Sequence, residues 1–377
     1  MAATVTPVGG KQDLDAFIRL PWRLYVGDPN WVPPLLRLQR EEFSPRHNPF
    51  FQHADVQLFL ARRDGRVVGR ISAQVDHEHN RYHQERTGFF GFFEAENDLA
   101  LARALLGAAE EWLRQRGIDC IRGPLSFSIN GEAGLLVEGF DLAPFVMMPY
   151  SPPYYRDLLE GCGYVKAQDL FAWRYERQRV PERHRRIVDE LRQRPEVKTR
   201  SPDMRRFRDE VRAILDVFND AWSDNWGFVP ATEAEAGKLA KEIRLIVDPH
   251  VVPIVEIDGK VAGVALGIPN LNEAIHDLNG RLFPLGFFKL LWRLKVRGLK
   301  TSRLILLGVK KEYRTRRYAG LGYLLCDEIY RGGRERGYQW SEFSWTLEDN
   351  RLINVMIKNV GCRHYKTYRI YEKALAP

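Results

Sequence analysis

The sequence predicts an α/β (α+β) chain built from two tandem copies of one unit. Each copy is expected to be a mixed, mainly antiparallel sheet flanked by helices. Three observations carry this. An Asp-Gly pair sits between two apolar runs twice, as Asp64-Gly65 and Asp258-Gly259, and each reads as a tight hairpin. The glycines that close helices also recur in order, with Gly117 and Gly163 in the first half and Gly337 and Gly361 in the second. The segments following Gly65 and Gly259 run Arg-Val-Val-Gly69 and Lys-Val-Ala-Gly263. Matches that recur in one order mark a duplicated unit.

In chain order, residues 11–27 read as a helix interrupted by Pro21, followed by a turn-rich loop from Asp28 to Pro34. Val56–Arg62 and Arg66–Val75 are the arms of the first hairpin, and Phe89–Glu94 is a further strand. Leu99–Arg116 places Leu101, Leu105, Ala108, Trp112 and Leu113 on one helical face. A strand begins at Ile118, a helix spans Tyr154–Cys162, and another strand runs to about Tyr175. The second half repeats the order. It has helices at Arg205–Trp222 and Thr232–Val247, the latter opened by a capping box of Thr232 and Glu235. Its hairpin is Val251–Ile257 with Lys260–Ile268. The expected domains are 1–178 and 201–377, joined by a basic linker and entry helix over 179–200, with an insertion at 270–302 in the second.

Length, composition and cysteines exclude several classes. At 377 residues the chain exceeds one typical domain. Hydrophobic content of 45% and charged content of 28% are those of a globular protein. A formal charge of +8 suits an anionic ligand and gives no strong nucleic-acid signal. Cys120, Cys162, Cys326 and Cys362 are dispersed, which reads as reduced thiols and a cytoplasmic protein. No apolar run is long enough to span a bilayer. His77, His79 and His83 read as a solvated turn, so no metal is expected.

The chemistry concentrates at residues 304–326. A short apolar strand ends at Val309. A basic turn follows with Lys310, Lys311, Arg314, Arg316 and Arg317. Gly320 and Gly322 then open a helix. Free helix-terminal amides, the helix dipole and flanking arginines together make a diphosphate site. The stretch is neither a P-loop nor a dinucleotide fingerprint. It reads Arg317-Tyr318-Ala319-Gly320-Leu321-Gly322, an R-x-x-G-x-G. This resembles the acetyl-CoA signature of the GNAT N-acetyltransferase superfamily. Asn350 before the last helix, Gly361 at its end, and Tyr371-Glu-Lys373 in a closing strand match the same family. Three departures stand out. The spacing from Glu312-Tyr313-Arg314 to the glycines is long, Cys362 replaces an aromatic, and Ile357 stands where the family often has an acidic tyrosine.

The resemblance implies an acyl-CoA-dependent N-acyltransferase, acetylating an amine of a small molecule, with the C-terminal copy catalytic. Acetyl-CoA or another acyl-CoA would be held by Gly308, Val309, Arg314, Arg317, Tyr318, Ala319, Gly320, Leu321, Gly322 and Asn350. Amides near Gly308 and Val309 would polarise the thioester. Glu342 and Glu348 are the base candidates, and Tyr365 or Tyr368 replaces the missing acid. The first copy has Ala95-Glu-Asn-Asp98 in place of the basic turn. It carries no glycine and two acids, so it is expected to have lost the diphosphate grip. Two other readings stay open: a non-catalytic CoA-binding or interaction module, and a tRNA-dependent aminoacyl transferase. The long loop between Pro124 and Tyr155 suits either a substrate pocket or structural packing. Residues 281–297 form an aromatic, basic, amphipathic stretch. It reads more readily as a helix packed on the domain than as an interfacial helix or lid, while admitting weak membrane-surface contact. The acceptor, acyl length and oligomeric state are not legible.

Overall fold

The structure is a computed structural model, and it describes residues 2–176, 181–244 and 246–375. Residues 177–180, which include the start of the expected linker, lie outside the described residues. The chain divides into two compact units. One contains Met1–Leu170, Ile275–Arg281 and Lys366–Pro377, and the other contains Phe171–Ala274 and Leu282–Tyr365. This differs from contiguous copies at 1–178 and 201–377. The chain's last strand belongs to the first unit, and the end of its seventh strand belongs to the second. Strand partnership is a long-range choice that contiguous sequence does not encode.

The first unit is built from β1 (Thr4–Pro7), α1 (Lys11–Leu24), α2 (Leu36–Glu42), β2 (Ala54–Arg63), β3 (Arg66–Asp76), α3 (His77–His83), β4 (Thr87–Ala95), α4 (Leu99–Arg114), β5 (Cys120–Gly123), β6 (Leu135–Glu138), α5 (Tyr155–Gly161) and the start of β7 (Val165–Tyr175). β1 to β4 pair antiparallel in sequence order, and β4 pairs parallel with β5. The expected hairpin turn is present. Asp64 and Gly65 both have positive φ, 52° and 76°, as a two-residue turn with the strands' own twist requires. Asp98 caps α4, its carboxylate accepting from the amides of Ala100 and Leu101 at 2.9 and 3.2 Å. The apolar face of α4 buries Leu101, Leu105, Ala109 and Leu113 in one core with Ile71, Phe90 and Ile121.

The second unit follows with α6 (Glu182–Gln193), β8 (Val197–Arg200), α7 (Phe207–Ala221), α8 (Glu233–Ile243), β9 (Ile254–Ile257), β10 (Lys260–Pro269), α9 (Asn272–Ile275), α10 (Gly286–Trp292), β11 (Thr301–Val309), α11 (Leu321–Glu335), β12 (Trp340–Leu347), α12 (Arg351–Asn359) and the start of β13 (Arg363–Ala374). β8 to β11 pair antiparallel, and β11 pairs parallel with β12. The capping box at Thr232 and Glu235 forms on both sides. β8 was not anticipated, because Val-Lys-Thr-Arg lacks an apolar alternation. The rest of β13 completes the first unit, pairing antiparallel with β5 and β6. The insertion forms α10, continued by a π-helical turn over Arg293–Arg297. As the preferred reading expects, one side of this helix packs on the domain through the buried Arg293, while much of its apolar surface stays exposed.

The second arm of each hairpin pairs with the strand after it in a shared register. Gly69 lies opposite Ala95 and Arg70 opposite Glu94, while Gly263 lies opposite Val309 and Val264 opposite Gly308. The duplication therefore aligns Glu94 of the first unit with Gly308 of the second.

Candidate active site

β12 carries the first part of the site. Glu342 is fully buried, and the parallel pairing of β11 with β12 sets Arg303 opposite it. Both oxygens of its carboxylate are engaged. Ser344 donates its hydroxyl to one and Tyr365 donates its phenol to the other. The Arg303 guanidinium lies 3.7 Å from the carboxylate and donates to the Ser344 hydroxyl at 2.8 Å. A buried carboxylate persists only when paired and hydrogen-bonded, and all three partners serve that end. Tyr365 is only half-buried, with its ring edge-on to Trp340 at 6.0 Å. The phenol therefore bridges a buried anion and a more open surface.

Of the expected catalytic residues, the structure joins Glu342 and Tyr365. Glu348 stands apart, in the turn before α12, where its carbonyl accepts from the Asn354 side chain at 3.3 Å. Tyr368 is fully buried in the first unit. Ile357 fills the core beside Leu324 and Phe343. Arg303 and Ser344 were missed. A register pair across two strands leaves no trace in the spacing of either strand.

The expected diphosphate loop is arranged differently from the sequence reading. Gly320 is buried at the start of α11 beneath α6. A Cβ there would collide with Ile187 and come within 3.0 Å of Leu191. At Gly322 a Cβ would lie 2.6 Å from the Met356 sulfur, and at Gly308 it would collide with the Trp222 indole. All three glycines thus admit neighbouring side chains at close range, which is the role their lack of a Cβ serves in this fold. Leu321 is buried in the core. Four of the five cations of the basic turn are likewise committed. Lys310 pairs with Asp216 and Lys311 with Asp224 at 2.7 Å, while the Lys311 amide donates to Asp220 at 2.6 Å. Arg314 donates to the carbonyls of Val309 and Ala221 at 2.8 and 2.6 Å. Arg317 pairs with Glu196 at 2.7 Å, and this contact holds the Glu196 carboxyl below its usual range. The Tyr318 ring lies under the Arg194 guanidinium at 5.9 Å, with Ala319 exposed beside it. Asn350 caps α12, accepting from the Ile353 amide at 3.4 Å. As folded, the turn does not fit a diphosphate at Gly320, because α6 occupies that approach and carboxylates face Lys310, Lys311 and Arg317.

A second buried carboxylate, which the sequence did not disclose, lies in the first unit. Glu94 accepts from the phenols of Tyr25 and Tyr155 at 2.9 and 2.7 Å, and Arg70 lies 3.5 Å from its other oxygen. Burial raises the Glu94 carboxyl above its usual range, against the pull of Arg70 and the hydrogen bonds. The same burial raises both phenols. The available signal was an ionisable residue inside each apolar run, Arg70 and Glu94. The expected acidic turn is also neutralised: Glu96 lies 3.4 Å from Arg23 and 3.7 Å from Arg66, and Asp98 lies 2.5 Å from Arg63.

Among the described residues no group of three or more His, Cys, Asp or Glu side chains is placed to hold a metal ion. No helix among them is long and apolar enough to cross a membrane.

Comparison with known proteins adds the lineage. The family model described as acetyltransferase (GNAT) family matches residues 16–123, within the first unit. The chain is 48% identical over 380 residues to a protein of Caulobacter vibrioides named bacterial ceramide synthase, covering 99% of this chain and 97% of that one. It is 42% identical over 368 residues to Protein YghO of Escherichia coli, covering 97% and 94%. Among solved structures, a tandem GNAT protein from the clavulanic acid biosynthesis pathway aligns over 100% of this chain and 99% of its own, with a TM-score of 0.57 and 14% identity. A GCN5-related N-acetyltransferase from Sphaerobacter thermophilus aligns over 99% and 96%, with a TM-score of 0.54 and 14% identity. These structural likenesses concern the fold. With full-length relatives well above the threshold of common descent, the chain belongs to the GNAT acetyltransferase family, in its tandem arrangement.

Proposed function

We propose that the chain is an N-acyltransferase that moves a fatty acyl group from a CoA thioester to the amine of a long-chain sphingoid base, yielding a ceramide. The observation that carries this is the 48% identity, across nearly the whole of both chains, to a protein named bacterial ceramide synthase. A ceramide is the amide of a fatty acid and a long-chain amino alcohol. The reading therefore replaces the expected acetyl group and small amine by two lipids. It keeps the reaction type, amide formation from a thioester donor, which is the family's chemistry.

Glu342 and Tyr365 supply the proton steps. As the amine nitrogen bonds to the thioester carbon, the proton it sheds goes to the Tyr365 oxygen while Tyr365 passes its own to the buried Glu342 across their hydrogen bond. As the carbon–sulfur bond breaks, Tyr365 gives its proton to the thiolate and recovers one from Glu342 across their hydrogen bond. One amide and one thiol result, with no net proton left on the protein. Arg303 keeps Glu342 oriented and compensates its charge between turnovers. The donor's diphosphate is not assigned to Gly320, which is packed beneath α6.

A second reading places the base at Glu94. It is favoured by the family match to residues 16–123 and by a buried carboxyl that desolvation raises above its usual range. The test is amide formation by the purified full-length chain with palmitoyl-CoA and sphinganine, followed by thiol release and mass spectrometry. Acetyl-CoA with small soluble amines is the control. Ceramide formation is expected. Turnover confined to small amines, or none, would overturn the acceptor assignment. Loss of turnover in Glu94→Gln but not in Glu342→Gln would move the base to the first unit.

A further inference from the structure

We infer that the helix formed by residues 286–297 docks the protein on the surface of an anionic phospholipid bilayer. Its sequence spacing sets Leu285, Phe288, Trp292 and Val296 three and four residues apart, on one helical face. Each of these side chains is more than half exposed, and so is Phe283 just before them. A contiguous apolar surface of this kind marks an interaction site.

The helix is not a loosely placed segment. Its opposite side is anchored by Arg293, which is buried and donates to the Ala274 carbonyl at 2.7 Å. Leu290 and Leu294 are half-buried on that inner side. The exposed face is thus held outward.

Charge selects the occupant. Residues 282–297 contain no acidic side chain, and Lys289, Lys295 and Arg297 are exposed beside the apolar face. Aromatic and aliphatic side chains flanked by cations are the composition of helices that lie in the headgroup region of anionic membranes. The core of a protein–protein interface is instead depleted in lysine. Such a helix places the protein where lipid substrates partition, yet the inference rests on exposure and charge and not on the functional reading. A chain that binds vesicles but makes no ceramide would overturn that reading and leave this one standing.

The experiment is flotation of the full-length chain with phosphatidylcholine vesicles and with phosphatidylcholine–phosphatidylglycerol vesicles. Two variants are compared: Leu285→Ser/Phe288→Ser/Trp292→Ser and Lys295→Glu/Arg297→Glu. The wild-type chain is expected on the anionic vesicles. The triple variant should bind about ten-fold less or weaker, since three large apolar side chains leave the interface. The charge variant should lose the preference for anionic vesicles. Both should keep the wild-type unfolding midpoint, because the substituted side chains are exposed. No flotation by the wild-type chain would overturn the inference, as would equal flotation by the triple variant. A wild-type oligomer that the triple variant dissolves, with lipid binding unchanged, would show that a second copy is the occupant and overturn it as well.

Discussion

Glu94 and Gly308 occupy the same register position in the two units, one residue before the strand ends opposite a glycine of the hairpin. The first unit buries a carboxylate there, held by two phenols and Arg70. The second has no side chain there and seats the Trp222 indole instead. The turns that follow differ as well. Three residues, with Asp98 as the cap, lead into α4. Eleven residues, lined with cations, lead from Val309 to the start of α11. The second unit's carboxylate appears one strand over, at Glu342. One backbone plan thus accepts a buried acid at either of two neighbouring strands. What changes is the exposure of the phenol that holds the acid. Glu94 is held by Tyr25 and Tyr155, both buried, whereas the fully buried Glu342 is held by the half-buried Tyr365.

The proposed function puts the base at the second carboxylate and leaves a stabilising role to the first, and this contrast can be broken by substitution. The largest effect is expected for Glu342→Gln, which should lower turnover by about 10²–10⁴-fold in the amide-forming assay, the usual worth of a general base. Tyr365→Phe should fall in the same direction, chiefly in kcat. If both variants turn over at wild-type rate, the comparison is reversed. Glu94→Ala removes the acceptor of two buried phenols and the counter-charge of Arg70. It should cost about 3–5 kcal/mol of stability in denaturant unfolding, while turnover per folded molecule is retained.

Acidity sharpens the same contrast. Because folding raises the Glu94 carboxyl, its contribution to stability is full below the ordinary carboxylate range and is lost as pH rises through the raised value. Glu94→Gln should flatten this part of the stability–pH curve, read from urea midpoints across the acid range. An unchanged curve would remove Glu94 as its source. A smaller effect is expected at the helix start. Gly320→Ala should destabilise by about 1–3 kcal/mol through its collision with Ile187, with donor KM unchanged and stability recovered by adding Ile187→Ala. A raised donor KM with stability intact would return the diphosphate to Gly320. The smallest is Thr232→Ala, which breaks one capping box in the second unit and should cost about 1 kcal/mol with no change in turnover.

What was legible in the chain is what neighbours along it decide. The Asp-Gly hairpins and the closing glycines at 117, 163, 337 and 361 all adopt positive φ, because tight turns and helix ends demand that conformation locally. The capping box at Thr232 followed from the same short-range logic, and the entry helix, expected within 179–200, spans Glu182–Gln193. The glycines of the R-x-x-G-x-G were visible, but their use was not. Nothing near Gly320 in the chain announces that Ile187 will lie on it.

The sequence by itself determined the duplicated sheet-and-helix plan, because hydrophobic period, turn chemistry and helix caps act over a few residues, and it pointed to the family through the resemblance of Arg317–Gly322 to that family's signature. Tertiary structure alone decided which carboxylate meets which phenol, which unit receives the last strand, and which glycine serves packing. Those outcomes depend on pairings between residues far apart in the chain, set by strand register and close packing, and no local pattern specifies them.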